Sequence, residues 1–271
     1  GNLTWSPDGK YLAFNLFVPA DKPSLHNMPG KPSGAEWAAP VKTFDAVYYR
    51  GDGRGYITPG YTHVFVVPTE GGTPRQVTSG NYHHRGAISF SPDGETMYLS
   101  ANRRDDWELN TVQSDIYALN VKSGEYTRLT DRDGPDGSPT VSPDGKLIAY
   151  TGFDDRSIGT QISRLYLMNS DGSGKRELLN IDRSVGNLHW KGDGTGLYFQ
   201  YTSEGKGNVA FTTLSGAVDN LVDNMGGMST GRPYAAGTYN VNAEGDIVFT
   251  SGNGENLANV AIIDENGSVQ Q

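Results

Sequence analysis

The densest group of side chains that could do chemistry lies at residues 103–108, which contain two arginines, two aspartates, a tryptophan and a glutamate. An arginine here could bind a peptide carboxylate through two parallel hydrogen bonds, and an acid could hold a substrate amine. The same composition suits a salt-bridged contact with another domain, or a solvated charged loop. A smaller run of this kind lies at residues 154–156. The candidate residues for contact with a substrate or another domain are Arg103, Arg104, Asp105, Trp107, Glu108, Asp154 and Asp155.

A second pattern with chemical meaning is Gly-Met-Ser-Thr-Gly at residues 227–231. It matches the Gly-X-Ser-X-Gly nucleophile elbow, which requires a strand before the serine and a helix after it. Arg232 and Pro233 follow at once, and proline disfavours helical geometry in the residue before it. We therefore do not assign Ser229 as a nucleophile, and we predict no catalytic residue in this chain.

The histidines and acidic loops do not predict a metal site. His83 and His84 are adjacent, and neighbouring residues of an extended segment point to opposite sides, so joint chelation is not expected. Residues 131–137 are rich in Asp and Gly but lack the spacing of a calcium-binding loop. The chain has no cysteine, which excludes thiolate ligands and a cysteine nucleophile. We predict neither a metal nor a cofactor.

The elements that position these residues follow from an internal repeat. Ser-Pro-Asp-Gly occurs at residues 6–9, 91–94 and 142–145, and degraded copies occur at 191–194 and 242–245. The steps between first residues are 85, 51, 49 and 51 (from 6 to 91, 142, 191 and 242). Proline presets one turn position and glycine accepts positive φ at another, so each copy predicts a tight turn. A period near 50 residues is typical of a repeat architecture.

Short apolar and aromatic strands flank each turn, and a second hairpin follows in every repeat. The clearest is 115–121 and 126–130, joined by a turn at Ser123 and Gly124. Two hairpins per repeat predict a four-stranded antiparallel sheet, and several such sheets in radial order form a β-propeller. The sequence thus predicts an all-β propeller with about five blades.

The organisation of the chain is predicted to be one domain, a β-propeller fragment over residues 1–271 of a larger ring. The chain begins within a strand and ends on a strand pair, and an open blade edge exposes unpaired backbone groups. A complete five-bladed ring is the alternative. Residues 15–62 form a long insertion in the first repeat, with an extra hairpin expected in its second half.

Blade topology sorts the loops onto two faces. The tight turns share one face. The other face carries the remaining loops: 15–62, 79–86, 101–114, 130–139, 151–163, 180–186, 202–207, 223–236 and 251–258. We call this second face the long-loop face and expect recognition there, because variation in length and chemistry is concentrated in its loops.

Charge and hydropathy restrict the partners. The formal net charge of −9 argues against nucleic acid, which requires a clustered basic surface. No run approaches the roughly 18 apolar residues of a membrane span, so no membrane partner is expected.

Specific stretches resemble a known family. Val-Tyr-Tyr-Arg-Gly-Asp-Gly-Arg-Gly-Tyr at residues 47–56 and the segment at 63–78 are similar to the propeller of prolyl oligopeptidase-family serine peptidases, closest to the acylaminoacyl-peptidase-like bacterial branch. Further similar segments follow in the same order at residues 100–104, 114–117, 134–139 and 182–187.

This resemblance implies that the chain is the non-catalytic propeller of a serine peptidase. In that family the propeller caps an α/β-hydrolase domain with a Ser-Asp-His triad, screens peptide substrates by size and can help hold the peptide N-terminus. The hydrolase domain is expected after residue 271, and this chain alone is expected to be inactive. A bacterial cytoplasmic or periplasmic location is left open for a soluble protein of this type.

Two other functions remain open. The turn motif is shared with the periplasmic propellers of the Tol system, so a protein-interaction scaffold is the main alternative. A five-bladed glycosidase-type propeller would need acids converging on the central channel, and no inner-strand acid recurs at one register, so it ranks last.

Overall fold

The computed structural model describes residues 1–20, 29–38, 42–227, 237–252, 258–264 and 267–270, and within these ranges the chain forms strands and no helix. Three sheets have four antiparallel strands each, an eight-stranded sheet consists of two further four-stranded blades joined at one residue pair, and two strands form a separate hairpin. The prediction of an all-β propeller with about five blades is confirmed. Ser229 lies outside the described residues.

Each blade is built from consecutive strands. Blade 1 contains β1 (Thr4–Trp5), β2 (Tyr11–Pro19), β5 (Gly60–Pro68) and β6 (Arg75–Gln76), with β3 (Arg50–Gly51) and β4 (Gly55–Tyr56) as a separate hairpin between β2 and β5. Blade 2 contains β7 (Ile88–Phe90), β8 (Thr96–Ala101), β9 (Asp115–Asn120) and β10 (Tyr126–Arg128). Blade 3 contains β11 (Asp136–Val141), β12 (Leu147–Gly152), β13 (Arg164–Asn169) and β14 (Arg176–Leu179).

The last two blades are connected through one residue pair. Blade 4 contains β15 (Val185–Trp190), β16 (Gly196–Ser203), β17 (Lys206–Thr213) and β18 (Val218–Met225). Blade 5 contains β19 (Tyr239–Val241), β20 (Ile247–Ser251), β21 (Asn259–Ile263) and β22 (Val269–Gln270). Met225 of β18 pairs with Ser251 of β20.

The repeated tight turn closes through its own side chains. The Ser142 hydroxyl donates to the Asp144 carboxylate at 2.7 Å and accepts from the Leu147 amide at 2.9 Å. Gly145 takes a φ of 73°, and a Cβ there would lie 3.0 Å from Pro92 Cδ in the turn of the preceding blade. The glycine is therefore needed both for the turn and for the contact between neighbouring turns.

The core lies between blades, because successive strand residues point to opposite faces of each sheet. In blade 2, Met97 and Leu99 pack with Ala13 of blade 1, whereas Tyr98 packs with Ile148 and Tyr150 of blade 3. We call the side toward the preceding blade the backward face and the side toward the following blade the forward face.

The same alternation is found at the next two interfaces. Between blades 3 and 4, Ala149 packs with Leu197 and Phe199. Between blades 4 and 5, Tyr198 packs with Ile247 and Phe249.

The insertion of the first repeat is shorter than the sequence predicted. Strands β2 and β5 pair from Tyr11↔Pro68 to Pro19↔Gly60, so the insertion begins after Pro19. The extra hairpin predicted in its second half is present as β3 and β4.

The predicted loop at 202–207 is a two-residue turn, because β16 and β17 pair as far as Ser203↔Lys206. Glu204 and Gly205 have φ of 51° and 76°, the geometry of a turn that suits paired strands.

Candidate functional site

A polar residue lies within the first four residues of the third strand of every blade, at the end that adjoins the long-loop face. The strand registers make these five residues equivalent, since each pairs with the same position of the second strand in its own blade. We call them the polar collar: His63, Asp115, Arg164, Asn208 and Asn259. In blades 1 to 3 their side chains contact a residue in or just after the fourth strand of the same blade: Thr78, Arg128 and Glu177.

Asp115 is fully buried and lies between two arginines of blade 2. Its carboxylate oxygen is 2.9 Å from Arg128 and 3.6 Å from Arg104. Arg104 also donates to the backbone oxygen of Arg132 at 2.6 Å. The candidate Arg104 therefore connects the loop 101–114 of blade 2 to the loop that enters blade 3.

Arg132 is the centre of a second charged group. It lies 3.0 Å from the buried Asp136 and 3.3 Å from Asp154, whose side chain is largely exposed. Its guanidinium also stacks over the Tyr166 ring at 3.9 Å. Burial raises the pKa of Asp136 to about 6, although the Arg132 charge acts in the opposite direction. The candidate Asp154 is thus the exposed end of a chain of contacts that reaches a buried carboxyl group.

Two neighbouring loops on this face fit closely. Gly134 has a φ of 143°, and a Cβ there would lie 2.0 Å from the Phe153 carbonyl oxygen, so only glycine is accommodated. The Asp155 amide donates to the Asp133 carbonyl at 2.8 Å. The candidate Asp155 accepts from the Ser157 amide and from Gln161, and these hydrogen bonds hold the pKa of its carboxyl below the usual range.

Arg103 is enclosed by aromatic and histidine side chains. It donates to His84 Nε2 at 2.9 Å and to the Ser79 carbonyl at 3.3 Å, and it stacks over the Tyr126 ring at 4.0 Å. Burial lowers the pKa of His84 to about 3, and the Arg103 charge adds to this effect. His84 is therefore neutral at pH 7 and accepts the arginine hydrogen bond. The Arg103 guanidinium therefore makes its contacts with other residues of the same chain.

His83 and His84 enter different surroundings. His83 accepts from the Thr62 amide through Nδ1 at 3.1 Å, and burial lowers the pKa of its ring to about 4. His84 instead faces His63, with ring centroids 5.4 Å apart. Among the described residues, no group of three or more histidines and acids has an arrangement that could hold a metal ion.

Of the other candidates in the loop 101–114, Glu108 contacts the insertion and Trp107 packs next to it. The Trp107 ring meets His83 edge to face at 5.5 Å and Tyr61 at 6.1 Å. Glu108 Oε2 accepts from the Val47 amide at 3.0 Å. Asp105 is exposed to solvent beside them. Glu108 therefore holds the insertion against the long-loop face, and Trp107 packs beside it on β5 and His83.

An exposed aromatic surface lies on the hairpin next to this contact. We call it the hairpin patch: Phe44, Val47, Tyr48, Tyr49 and Tyr56. Phe44 lies 5.1 Å from Tyr49 and 5.0 Å from Tyr56 between ring centroids, and Lys42 Nζ lies 4.6 Å above the Tyr56 ring. Val47 and Tyr48 are 59% and 66% exposed. A contiguous apolar surface of this kind is typical of a site for a partner.

A groove of about 610 Å³ lies on the tight-turn side between blades 4 and 5. Lys191, Asp219, Glu244 and Asp264 contribute charged groups to its lining, and Phe211 contributes an apolar wall. None of the candidate residues lines this groove.

The described part of the chain contains no helix long and apolar enough to span a membrane.

The structure thus brings Arg104, Arg132 and Asp154 into one network. It places Glu108 against the insertion and Trp107 against β5 and His83. Arg103 does not connect the charged network to Trp107 and Glu108, because its guanidinium contacts His84 and Tyr126. Sequence reasoning missed the polar collar and Asp136. The signal was present, because a polar residue precedes an apolar strand core at the same register in all five repeats.

Comparison with known proteins gives the family context. The TolB beta propeller domain model matches residues 57–271. Dipeptidyl-peptidase 5 of Porphyromonas gingivalis is 31% identical over 131 residues, which is 47% of this chain and 19% of that protein. An uncharacterised protein of Agrobacterium fabrum is 31% identical over 155 residues, 54% of this chain and 48% of that protein. This chain therefore matches about half or less of the length of these relatives.

Two solved structures share the fold. An acylaminoacyl peptidase in complex with Z-Gly-Gly-Phe-chloromethyl ketone superposes with a TM-score of 0.66 and 16% identity, covering 99% of this chain and 37% of that one. TolB from Acinetobacter baumannii superposes with a TM-score of 0.60 and 18% identity, covering 98% of this chain and 52% of that one.

Proposed function

The chain belongs to the TolB beta propeller domain family, and from this premise we propose that it is the non-catalytic propeller of a serine peptidase related to prolyl oligopeptidases. In this role it docks onto an α/β-hydrolase domain of the same protein and gates the access of peptides to that domain. The loops of the long-loop face and the hairpin patch form the docking and gating surface.

The relatives support a peptidase context. One of the proteins that match in sequence is a dipeptidyl-peptidase, and this chain aligns with only 19% of it. The acylaminoacyl peptidase structure is likewise much longer than this chain. A catalytic domain outside the propeller fits the length of both proteins, and fold-level similarity alone does not assign the activity.

The hairpin patch is the observation that carries the proposal. Aromatic side chains are enriched in protein interfaces because they provide a large apolar area and few rotamers. The patch offers four aromatic rings and a valine, exposed between 41% and 66%. A hydrolase domain seated on the patch would bury this apolar area, which favours association.

The contact between the insertion and the loop 101–114 supports a gating role. Glu108 holds the Val47 amide, and Trp107 packs against Tyr61 at the beginning of β5. The hairpin patch is therefore held at one side of the long-loop face. Peptides reaching a catalytic centre below this face would pass the insertion, whose position depends on these contacts.

The first experiment is fluorophosphonate labelling of this 271-residue chain and of the protein encoded by its complete natural reading frame. Mass spectrometry then locates the adduct. We expect a labelled serine outside these residues and no label on this chain. A label on Ser229 would contradict the proposal, because the catalytic serine would then lie within the propeller.

The docking surface is tested by Tyr48→Asp in the complete protein, with Val218→Asp as a control at an exposed residue on the tight-turn side, at the beginning of β18. We expect Tyr48→Asp to change KM for peptides or the size limit of the substrates at least tenfold, while the melting temperature of the propeller stays within about 2 °C. Equal kinetics for both variants would contradict docking through the hairpin patch.

The second candidate function is a Tol-type interaction scaffold. The family match and the superposition with TolB of Acinetobacter baumannii favour it. The labelling experiment separates the two, since a scaffold gives no fluorophosphonate adduct in either protein.

A further inference from the structure

One position on the forward face of the fourth strand changes its charge from blade to blade. Arg75 of blade 1, Arg176 of blade 3 and Asp219 of blade 4 are equivalent, because each pairs with the third-strand residue that lies three positions after the collar residue of its blade. Blade 2 has Thr127 at this position. Two blades therefore carry a guanidinium where blade 4 carries a carboxylate.

The two arginines bridge neighbouring blades in the same way. Arg75 Nη2 donates at 2.7 Å to the backbone oxygen of Val121, which directly follows the third strand of blade 2. Arg176 Nη2 donates at 2.9 Å to the backbone oxygen of Leu214, which directly follows the third strand of blade 4. At both interfaces an arginine side chain therefore spans the gap between the outer strands of two blades.

The equivalent gap between blades 4 and 5 is the groove of about 610 Å³. Asp219 borders it on blade 4, and Asp264, which directly follows the third strand of blade 5, borders it on the other side. A carboxylate has no hydrogen to donate to a carbonyl, so Asp219 cannot make the bridge that an arginine makes. The groove is therefore open where the arginine side chain lies at the other two interfaces.

The charge of the groove is the opposite of the charge that spans the other gaps. Asp219, Glu244 and Asp264 contribute three carboxyl groups to the lining. Lys191 contributes an ammonium group, which lies 3.1 Å from the carboxylate of Asp193. The lining therefore favours a cationic occupant.

The walls of the groove select the kind of cation. Phe211 pairs with Asp219 across the two strands, so an aromatic ring stands beside the carboxylate, and Leu221 and Ile263 add apolar surface. A guanidinium can stack on a ring while it donates two parallel hydrogen bonds to a carboxylate. An ammonium group lacks this planar geometry. The groove therefore suits arginine better than lysine.

We propose that the groove between blades 4 and 5 is a docking site for an arginine side chain on a peptide segment of a partner protein. The partner arginine enters the gap that Arg75 and Arg176 span at the other interfaces, and it pairs with Asp219. The volume is in the range of pockets that enclose a small ligand, so residues beside the arginine enter as well. The inference is independent of the peptidase proposal, because the groove lies on the tight-turn side and the hairpin patch does not.

The test is an NMR titration of this chain, following the backbone amides of Gly245 and Gly267, which line the groove. The probe is the peptide acetyl-Gly-Leu-Arg-Leu-Gly-amide. Its matched control has citrulline, a neutral residue of nearly the same shape, in place of arginine. We expect the citrulline peptide to bind at least about tenfold more weakly, because the charge-assisted pair is lost. Equal affinities, or no shift of these amides with the arginine peptide at millimolar concentration, would overturn the proposal.

Asp219→Arg is the decisive variant, because it places in blade 4 the arginine that blades 1 and 3 have at this position. It is expected to weaken binding of the arginine peptide at least about tenfold, while the melting temperature stays within about 2 °C. Asp182→Arg makes the same change of charge at an exposed residue of the long-loop face, and it is expected to alter the affinity less than about twofold. Equal effects of the two variants would contradict docking in the groove.

Two further results would exclude the proposed occupant. If L-arginine amide alone displaced the peptide at an equal concentration, the groove would be a site for a small guanidinium compound. If the chain without peptide formed a dimer that Asp219→Arg dissociates, the occupant would be a second copy of the chain. Neither result depends on the fluorophosphonate labelling that tests the peptidase proposal.

Discussion

The tight-turn face of this propeller repeats the same residues and hydrogen bonds from blade to blade, whereas the long-loop face has different residues at equivalent positions. The turns at Ser6, Ser91 and Ser142 close with the same hydrogen bonds, from the serine hydroxyl to an aspartate two residues on. On the long-loop face, equivalent collar positions hold a histidine, an aspartate, an arginine and two asparagines, and the first three contact different partners. Repetition fixes the scaffold, and departure from repetition creates surfaces that can recognise a partner.

The largest effect is expected within the repeated scaffold. Phe199 is fully buried between blades 3 and 4, and Phe199→Ala should lower the free energy of unfolding by about 4 kcal/mol, because it removes apolar contacts and leaves a cavity. Leu109→Ala on the loop 101–114, at a residue 78% exposed, should change it by less than about 0.5 kcal/mol. Urea unfolding measures both. Similar losses would show that the loops contribute as much to stability as the blades.

A second prediction concerns the pH dependence of the long-loop face. The folded protein lowers the pKa of His84 from 6.5 to about 3, so its stabilising effect is complete above pH 6.5 and is lost as the pH falls toward 3. His84→Gln should reduce the slope of stability against pH in this window by about 1.4 kcal/mol per pH unit. Unfolding curves between pH 4 and 7 measure the slope.

Asp136 provides the control of opposite sign. Its pKa is raised from 3.8 to about 6, so its stabilising effect is present below pH 3.8 and is lost as the pH rises through 6. Asp136→Asn should therefore steepen the loss of stability on acidification between pH 6 and 4, whereas His84→Gln should flatten it. The same sign for both variants would contradict the two buried environments described above.

The smallest effect should come from single turns. Ser91→Ala and Ser142→Ala each remove a hydroxyl that donates to an aspartate and accepts a backbone amide, and each should cost about 1 kcal/mol. Ser79→Ala, at an exposed residue of the long-loop face, should be neutral within about 0.5 kcal/mol. Unequal losses at the two turns would show that the repeats are less equivalent than their geometry indicates.

The fold could be predicted because its signals are local. A proline and a glycine within four residues specify a turn, and the strands beside the turn follow from short apolar runs. The boundaries of the insertion could not be predicted, because the pairing of Pro19 with Gly60 depends on contacts across forty residues. The turn at Glu204 was missed because a non-glycine residue with positive φ has a weak sequence signal.

The candidate site was predicted only in part, because local signals are visible in the sequence and contacts between distant segments are not. The charged run at 103–108 marked a loop that contacts the insertion through Glu108. The internal role of Arg103 depends on His84 and Tyr126, which come from other segments of the chain. Charge and aromatic content were visible in the sequence, but the partners that fix each side chain were not.

The contact between neighbouring tight turns has a consequence for how such a chain can diverge. Where the fourth turn has Gly192 in place of proline, a Cβ at that position would lie 2.5 Å from the Ala243 carbonyl oxygen of the fifth turn. Between the second and third turns the close contact is at other positions, where a Cβ on Gly145 would lie 3.0 Å from Pro92 Cδ. The two positions that touch across neighbouring turns are therefore constrained together, so these positions are expected to vary as pairs while the other turn positions vary singly.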